Sequence, residues 1–236
     1  MNDSLPQECY NELADSYAAI IDTKPHNAYY DRPAMQSLVP NVKGKSILDA
    51  GCGPGIYTEW LLHNGAKVTA IDANEKMLQH AKVRNGDKAI FYKANLEEPL
   101  SFLSNSKFDG IVSTLTITYC RNLTAVFSEF SRILKRDGWF VFSTEHPFFS
   151  YKYFKIENYY ETKEVSCIWN GFGKPVIMKS YYHSLSTMTD ALTCNGFLIE
   201  KVLEPMPVEE FAKHDPEGYN KLLKFPLFIF FRAIKK

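Results

Sequence analysis

Apolar positions along this chain recur with two different periods, and the way the two alternate sets the expected architecture. Between residues 10 and 21, Tyr10, Leu13, Ala14, Tyr17 and Ile21 repeat at helical spacing, which predicts a helix with one apolar face turned to the domain. A second helix is expected to open at Pro33 and stop before Pro40, because proline suits a first helical turn and pushes the residue ahead of it out of helical geometry. Short unbroken apolar runs then predict buried strands at 46–48, 67–71, 89–93, 108–113 and 139–143, the last entered through a turn at 135–138. Helical stripes lie between them: Ile56, Trp60 and Leu61, stopping at Asn64-Gly65; Met77, Leu78 and Ala81 behind an Asn74 cap; and Leu123, Val126, Phe127, Phe130, Ile133 and Leu134. Strand and helix in turn predict an α/β fold around a parallel sheet.

Beyond residue 150 the pattern changes to aromatic, strand-like pieces at 164–169 and 176–181 around Asn170-Gly-Phe-Gly173, which read as a β-hairpin lid. A helix capped by Ser186 and stopped by Gly196, a strand at 197–204, a break at Pro205-Met-Pro207, a helical piece with Phe211 and Leu222, and a closing strand at 227–234 complete the chain.

Composition narrows the function classes. At 236 residues and 45% hydrophobic content the chain can bury one sizeable core, so a single domain is expected. Lys+Arg and Asp+Glu are both 27, a balance that gives no electrostatic support to nucleic-acid or membrane binding. The start lacks the basic and apolar regions of a secretory signal, and no apolar run approaches the ~20 residues of a membrane span. The five cysteines are odd in number and lack C-x-x-C spacing, which argues against a disulfide framework or a zinc site, so no metal and a cytoplasmic location are expected.

The chemistry concentrates in Asp49-Ala-Gly-Cys-Gly-Pro-Gly55, a glycine-rich turn between the first strand and the next helix. Glycines there can take positive φ and let a ligand lie against the backbone, at the strand end where open α/β sheets bind nucleotide-like ligands. The spacing is G-x-G-x-G with Ile56 next, not the dinucleotide fingerprint G-x-G-x-x-G, and the leading acid, Asp49, repels phosphates and suits a cation. Asp72, about 20 residues beyond the turn, stands where a second strand delivers a carboxylate to a ribose, whose two hydroxyl donors match two acceptor oxygens.

On these residues the chain resembles the class I S-adenosylmethionine-dependent methyltransferases, most strongly over 44–147. The resemblance implies a Rossmann-like seven-stranded, mostly parallel sheet with helices on both faces, its last strand antiparallel between the fifth and sixth. It divides the single domain into a helical cap (1–43), a cofactor-binding core (44–147), an aromatic lid insertion (148–183) and a closing segment (184–236). S-adenosyl-L-methionine is the implied cofactor and S-adenosyl-L-homocysteine the product. Asp49 is then expected near the ligand's amino group, Gly51, Cys52, Gly53 and Gly55 against its methionine part, Asp72 on the ribose with Ala73 and Met77 beside it, and Asn95 and Leu96 at the adenine, with Ser113 closing the fourth strand. Many relatives carry aspartate where this chain has Asn95, and several carry histidine where it has Thr118.

For the acceptor, the resemblance points to Tyr17, Tyr29, Tyr30 and Arg32 in the front segment, to Thr118 and Tyr119 after the fourth strand, and to Glu145 after the fifth. Tyr151, Trp169 and Tyr182 are candidates on the lid, either holding a flat acceptor or giving the hairpin a core of its own. His146 and His183 are the two candidate bases, each with the alternative of only bonding its own loop. The expected reaction is in-line methyl transfer to an O or N atom of a small-molecule acceptor rather than nucleic acid, with no membrane partner, by a monomer or homodimer. A SAM-binding regulator or scaffold without turnover and a nicotinamide-dependent oxidoreductase are the rival readings.

Overall fold

In the computed structural model, which describes residues 7–236 with the Glu8 side chain apart, helix α1 (Gln7–Ile20) leads through a π-helical turn (Asn27–Asp31) directly into α2 (Arg32–Leu38), with Pro33 in its first turn. Residues 1–6, on which the reading of the start as no secretory signal rests, lie outside the described residues. Strand and helix then alternate: β1 (Ser46–Ala50), α3 (Ile56–His63), β2 (Lys67–Asp72), α4 (Glu75–Asn85), β3 (Ala89–Lys93), β4 (Phe108–Thr114), α5 (Leu123–Ile133) and β5 (Leu134–Glu145). A short helix α6 (Pro147–Tyr153) precedes the hairpin β6 (Lys163–Trp169) and β7 (Val176–Tyr182), and the chain closes through α7 (Leu185–Thr193), β8 (Phe197–Leu203), α8 (Glu209–His214), α9 (Pro216–Leu222) and β9 (Phe228–Lys235).

Seven strands form one sheet in the order β3-β2-β1-β4-β5-β9-β8. The first five are parallel, and β9 runs antiparallel between β5 and β8, so the expected insertion of the last strand is the one found. The reason is burial on both faces. Along β5, Phe140 and Phe142 pack with Phe127 and Phe130 of α5 on one face, while Trp139 and Val141 pack with Met35, Leu38 and Phe211 on the other. Phe142 pairs with Phe231 of β9 and stacks on it at 4.9 Å, which ties β9 alongside β5.

Three local readings change. The segment 135–138 is assigned to β5 rather than to a turn, but the register jumps from Phe108↔Leu134 to Gly110↔Trp139, so these residues bulge out with Asp137 at φ 59°. Helix α7 is capped by Ser184 and not by Ser186: Ser184 keeps an extended backbone and its hydroxyl accepts from Thr187 N at 3.1 Å. Helix α6 was not expected, although Pro147 at its first position is a helix-start signal.

Gly110 shows how tightly the centre of the sheet is filled. It lies under the indole of Trp139, where a Cβ would meet the ring, and its φ is not one that excludes a side chain. Gly110→Ala is therefore expected to cost about 1–3 kcal/mol by overpacking alone. In urea unfolding the midpoint should fall with the slope unchanged; an unshifted midpoint would mean that the Trp139 ring can move aside.

Candidate cofactor and acceptor site

The carboxyl ends of β1, β2, β4 and β5 surround one cavity of about 440 Å³, covered by α1, the segment leading into the π-helical turn and the tip of the β6–β7 hairpin. It lies where the sheet order reverses between β1 and β4, because the loops leaving these strands diverge there.

The glycine turn forms its floor. Gly51 and Gly53 line the cavity with φ of 80° and 52°. A Cβ on Gly51 would strike Thr116, which crosses over from β4, whereas a Cβ on Gly53 would meet only open space. One glycine thus admits the neighbouring loop, and the other leaves backbone bare to the cavity. Asp72, at the end of β2, fastens this turn: its Oδ2 accepts from Gly53 N and its Oδ1 from Asn74 N, both at 2.8 Å. These bonds leave acceptor capacity on the carboxylate, and Asp72 lines the cavity. Burial pushes the Asp72 carboxyl above its ordinary value, against the pull of the backbone amides of Asn74, Gly53 and Ala73. Ala73, Met77, Asn95 and Leu96 complete this wall. Asn95 Oδ1 already accepts from Glu97 N at 3.1 Å, which fixes the amide plane.

Four expected cofactor residues stand behind the lining. Asp49 is 1% exposed and turned down into α3, where its Oδ2 accepts from Thr58 Oγ1 at 2.6 Å, so it does not face a ligand's amino group directly. Burial, reinforced by the Asp72 charge, pushes the Asp49 carboxyl up to about 7. Cys52 is packed beneath the turn with Ala70 and Leu78. Gly55 is a packing glycine: a Cβ would collide with Ala81 and Asn85 of α4. Ser113 ties β4 to β1 by donating to Ala50 O at 2.8 Å.

The opposite wall is aromatic. Tyr17, Thr118, Tyr119, Glu145 and Trp169 all line the cavity, as expected positions for acceptor contact. Phe172 at the hairpin tip stacks on Tyr17 at 5.0 Å and on Trp169 at 5.4 Å, with Lys24 Nζ 3.4 Å above its ring. Tyr10, from α1, meets Tyr119 edge-on with their hydroxyls 3.0 Å apart. Glu145 accepts from Ser150 Oγ at 2.9 Å, and burial pushes its carboxyl up.

Five expected acceptor residues are elsewhere, each for a packing reason. Tyr29 stacks on His214 at 4.9 Å. Tyr30 is buried against Phe228, and its hydroxyl oxygen accepts from Leu227 N at 3.1 Å. Arg32 donates to the carbonyls of Ile21 and Asp22, closing the turn after α1. Tyr151 and Tyr182 belong to a small core under the hairpin with Ile156 and Val165. Both candidate bases are corrected as well. His146 Nε2 donates to Glu204 at 2.7 Å while its Nδ1 accepts from Phe148 N, which makes it the cap of α6. His183 Nε2 donates to Cys120 O at 2.8 Å and its Nδ1 pairs with Thr162 Oγ1; burial pushes the imidazole down to about 4. Neither histidine lines the cavity.

Sequence reasoning missed Lys24, His26 and Asn27, which reach the cavity from the segment between α1 and α2. The polar residues on either side of Pro25, just past an amphipathic helix, are the signal that marks them. Among the described residues no group of three or more His, Cys, Asp or Glu could hold a metal ion, and no helix is long and apolar enough to cross a membrane.

The buried carboxyls predict a pH dependence of stability. Asp49, at about 7 in the folded chain against an ordinary 3.8, and Asp31, at about 6, stay protonated when folded at pH values where the unfolded chain ionises them. The folded state then binds more protons between about pH 4 and 7, so stability falls as pH rises through that window. Urea midpoints should decline across it, and the decline should shrink in Asp49→Asn; a flat native profile would place an ionised Asp49 in the folded state.

Comparison with known proteins agrees with this arrangement. A methyltransferase-domain family model matches residues 48–142. An uncharacterized protein of Haemophilus influenzae is 29% identical over 231 residues, covering 89% of this chain and 88% of that protein. A malonyl-acyl-carrier-protein O-methyltransferase of Erwinia pyrifoliae is 35% identical over 128 residues, which is 54% of this chain and 43% of that enzyme, so the match spans less than half of that relative. The crystal structure of an S-adenosylmethionine-dependent methyltransferase of Mesorhizobium loti, 26% identical, superposes with a TM-score of 0.71 and covers 91% of this chain and 100% of that one. Sheet order, glycine turn and these matches together support a class I S-adenosylmethionine-dependent methyltransferase.

Proposed function

We propose that this enzyme methylates an oxygen or nitrogen atom of a small molecule held in the aromatic half of the cavity. The observation that carries the reading is the continuity of one cavity: a polar floor of glycine turn, Asp72 and Asn95 passes directly into a wall of Tyr17, Tyr119, Trp169 and Phe172. A cavity of about 440 Å³ on a chain with equal numbers of acidic and basic residues suits a compact acceptor better than a polyanion. The name of the Erwinia relative, an O-methyltransferase, supports oxygen as the acceptor atom.

The lining fits the cofactor. Bare backbone at Gly53 admits close contact, the remaining lone pairs of Asp72 match the two hydroxyl donors of a ribose, and Asn95 stands by for the adenine edge. When bound, S-adenosylmethionine supplies a methyl carbon on a cationic sulfur that departs as a neutral thioether. Tyr17, Tyr119 and Glu145, which share the opposite wall, would supply ring faces and an acidic oxygen to that cation. The hairpin tip, latched on Tyr17 and Lys24, would cover the acceptor and hold it in line. Such positioning is worth ~7–11 kcal/mol, against roughly 3–5 kcal/mol for a general base, so alignment is the principal work of the chain.

Asp72→Ala should weaken S-adenosylhomocysteine binding by ~1.5–3 kcal/mol, roughly 10–100-fold, in calorimetric titration. Unchanged affinity would remove Asp72 from the ligand. The acceptor class is tested by incubating the enzyme with methyl-labelled S-adenosylmethionine and, separately, a small-molecule metabolite extract, total RNA and total protein. Label in the extract alone is the expected outcome; label confined to RNA or protein would overturn the small-molecule reading.

A further inference from the structure

We propose that His26 is a catalytic residue: it takes the proton that the acceptor loses on methylation. The proposal rests on the methyltransferase reading above and adds to it the base that His146 and His183 do not supply.

Six histidines are present in the chain, and His26 is the one on the cavity wall. Its place in the fold is the acceptor end. Asp72 and Asn95 mark the β2–β3 side of the sheet, whereas the turn that His26 opens is tied to the other side, where Tyr30 accepts from Leu227 N just ahead of β9. Leu227 and Phe228 line the cavity together with His26.

The ring is held without its nitrogens being used. His26 has helical backbone angles, φ −62° and ψ −33°, yet makes no side-chain cap bond, and no hydrogen bond from its ring to another described residue is formed. Its edge rests on Phe211, centroids 5.0 Å apart and planes at 79°, and Phe211 is itself fully buried. This is the reverse of His146 and His183, whose two nitrogens are both engaged.

The surroundings keep the imidazole neutral. Burial lowers its proton affinity, Lys24 lowers it further, and Asp215, which acts the other way, does not restore it. The remaining titratable groups on the wall are poorer candidates: Tyr10, Tyr17, Tyr119 and the Cys120 thiol are pushed to higher proton affinity by burial and stay protonated, Lys24 lies over the Phe172 ring, and Asp72 is engaged by the Gly53 and Asn74 amides. Glu145 is the competitor, with one oxygen accepting from Ser150.

In the step, the acceptor's lone pair forms the bond to the methyl carbon and the carbon–sulfur bonding pair stays on sulfur. The acceptor's O–H or N–H proton passes to an open nitrogen of His26, and from the imidazolium to water after product leaves. Activity therefore falls as pH drops through the His26 ionisation, which lies below the ordinary 6.5.

The test uses the full chain, methyl-labelled S-adenosylmethionine and the small-molecule metabolite extract as acceptor source. His26→Ala should lose about 10²-fold or more in transfer rate, and its residual activity should lack the acid limb of the pH profile, while Glu145→Gln keeps that limb. Calorimetric affinity for S-adenosylhomocysteine should stay within about twofold, and histidine NMR of the complex should show the native His26 ring neutral at about pH 7. Transfer by His26→Ala at the native rate, an acid limb that survives in it, or a protonated native His26 at that pH would each overturn the proposal. A native enzyme that binds the homocysteine product but labels nothing in the extract would sink the small-molecule reading and this one with it, and absence of that binding would instead strike the cofactor assignment.

Discussion

The Asp72 carboxylate is the joint on which the site depends. The backbone holds the loop leaving β1 to β2 only as far as Gly51 N and Cys52 N, which both donate to Ile71 O, and the Asp72 side chain carries the tie further. One oxygen of Asp72 holds the first loop at Gly53 N and the other holds the second at Asn74 N. Asn74 in turn caps α4 through Met77 N, so glycine turn, strand end and helix start form one unit. Burying a carboxylate is costly, and the backbone amides that ring it offset much of that cost. The group that assembles the floor is also the group that offers a ligand its remaining lone pairs.

A second joint sets the opposite wall. Asp31 is fully buried and accepts from Ser143 Oγ of β5 at 2.7 Å and from the Tyr57 hydroxyl of α3 at 2.6 Å. It pins the π-helical turn to β5 and to α3, and Tyr30 adds a third tie just ahead of β9. With the turn fixed there, the residues just before it, Lys24 and His26, are carried to the cavity rim. Lys24 then meets the hairpin tip, whose Phe172 is clasped between Tyr17 and Trp169. The roof of the chamber is thus built from two segments far apart in sequence, each stabilised by the other.

His146 and His183 show why a residue's place after a strand does not settle its chemistry. Both follow strands on the ligand side of the molecule, yet each is captured by hydrogen bonds to its own surroundings before it can face a ligand. A buried imidazole with both nitrogens engaged contributes to folding and not to proton transfer, because moving a proton there would break a bond that burial makes expensive to lose.

Sequence alone determined what short-range physics governs. The period of apolar positions separated strands from helices, the both-faces-buried strands called for a parallel sheet, the positive-φ glycines marked the turn, and Asn74 marked a cap. Asp72 was legible because its distance from the glycine turn is fixed by one helix and one strand. Tertiary structure decided which side chains face the cavity. Asp49 and Gly55 belong to the motif but turn towards α3 and α4, Tyr30 goes under β9, and His26 reaches the chamber only because Asp31, seven residues short of the end of α2, is anchored on β5 and α3. A side chain's direction depends on partners distant in sequence, and no local pattern encodes those partners.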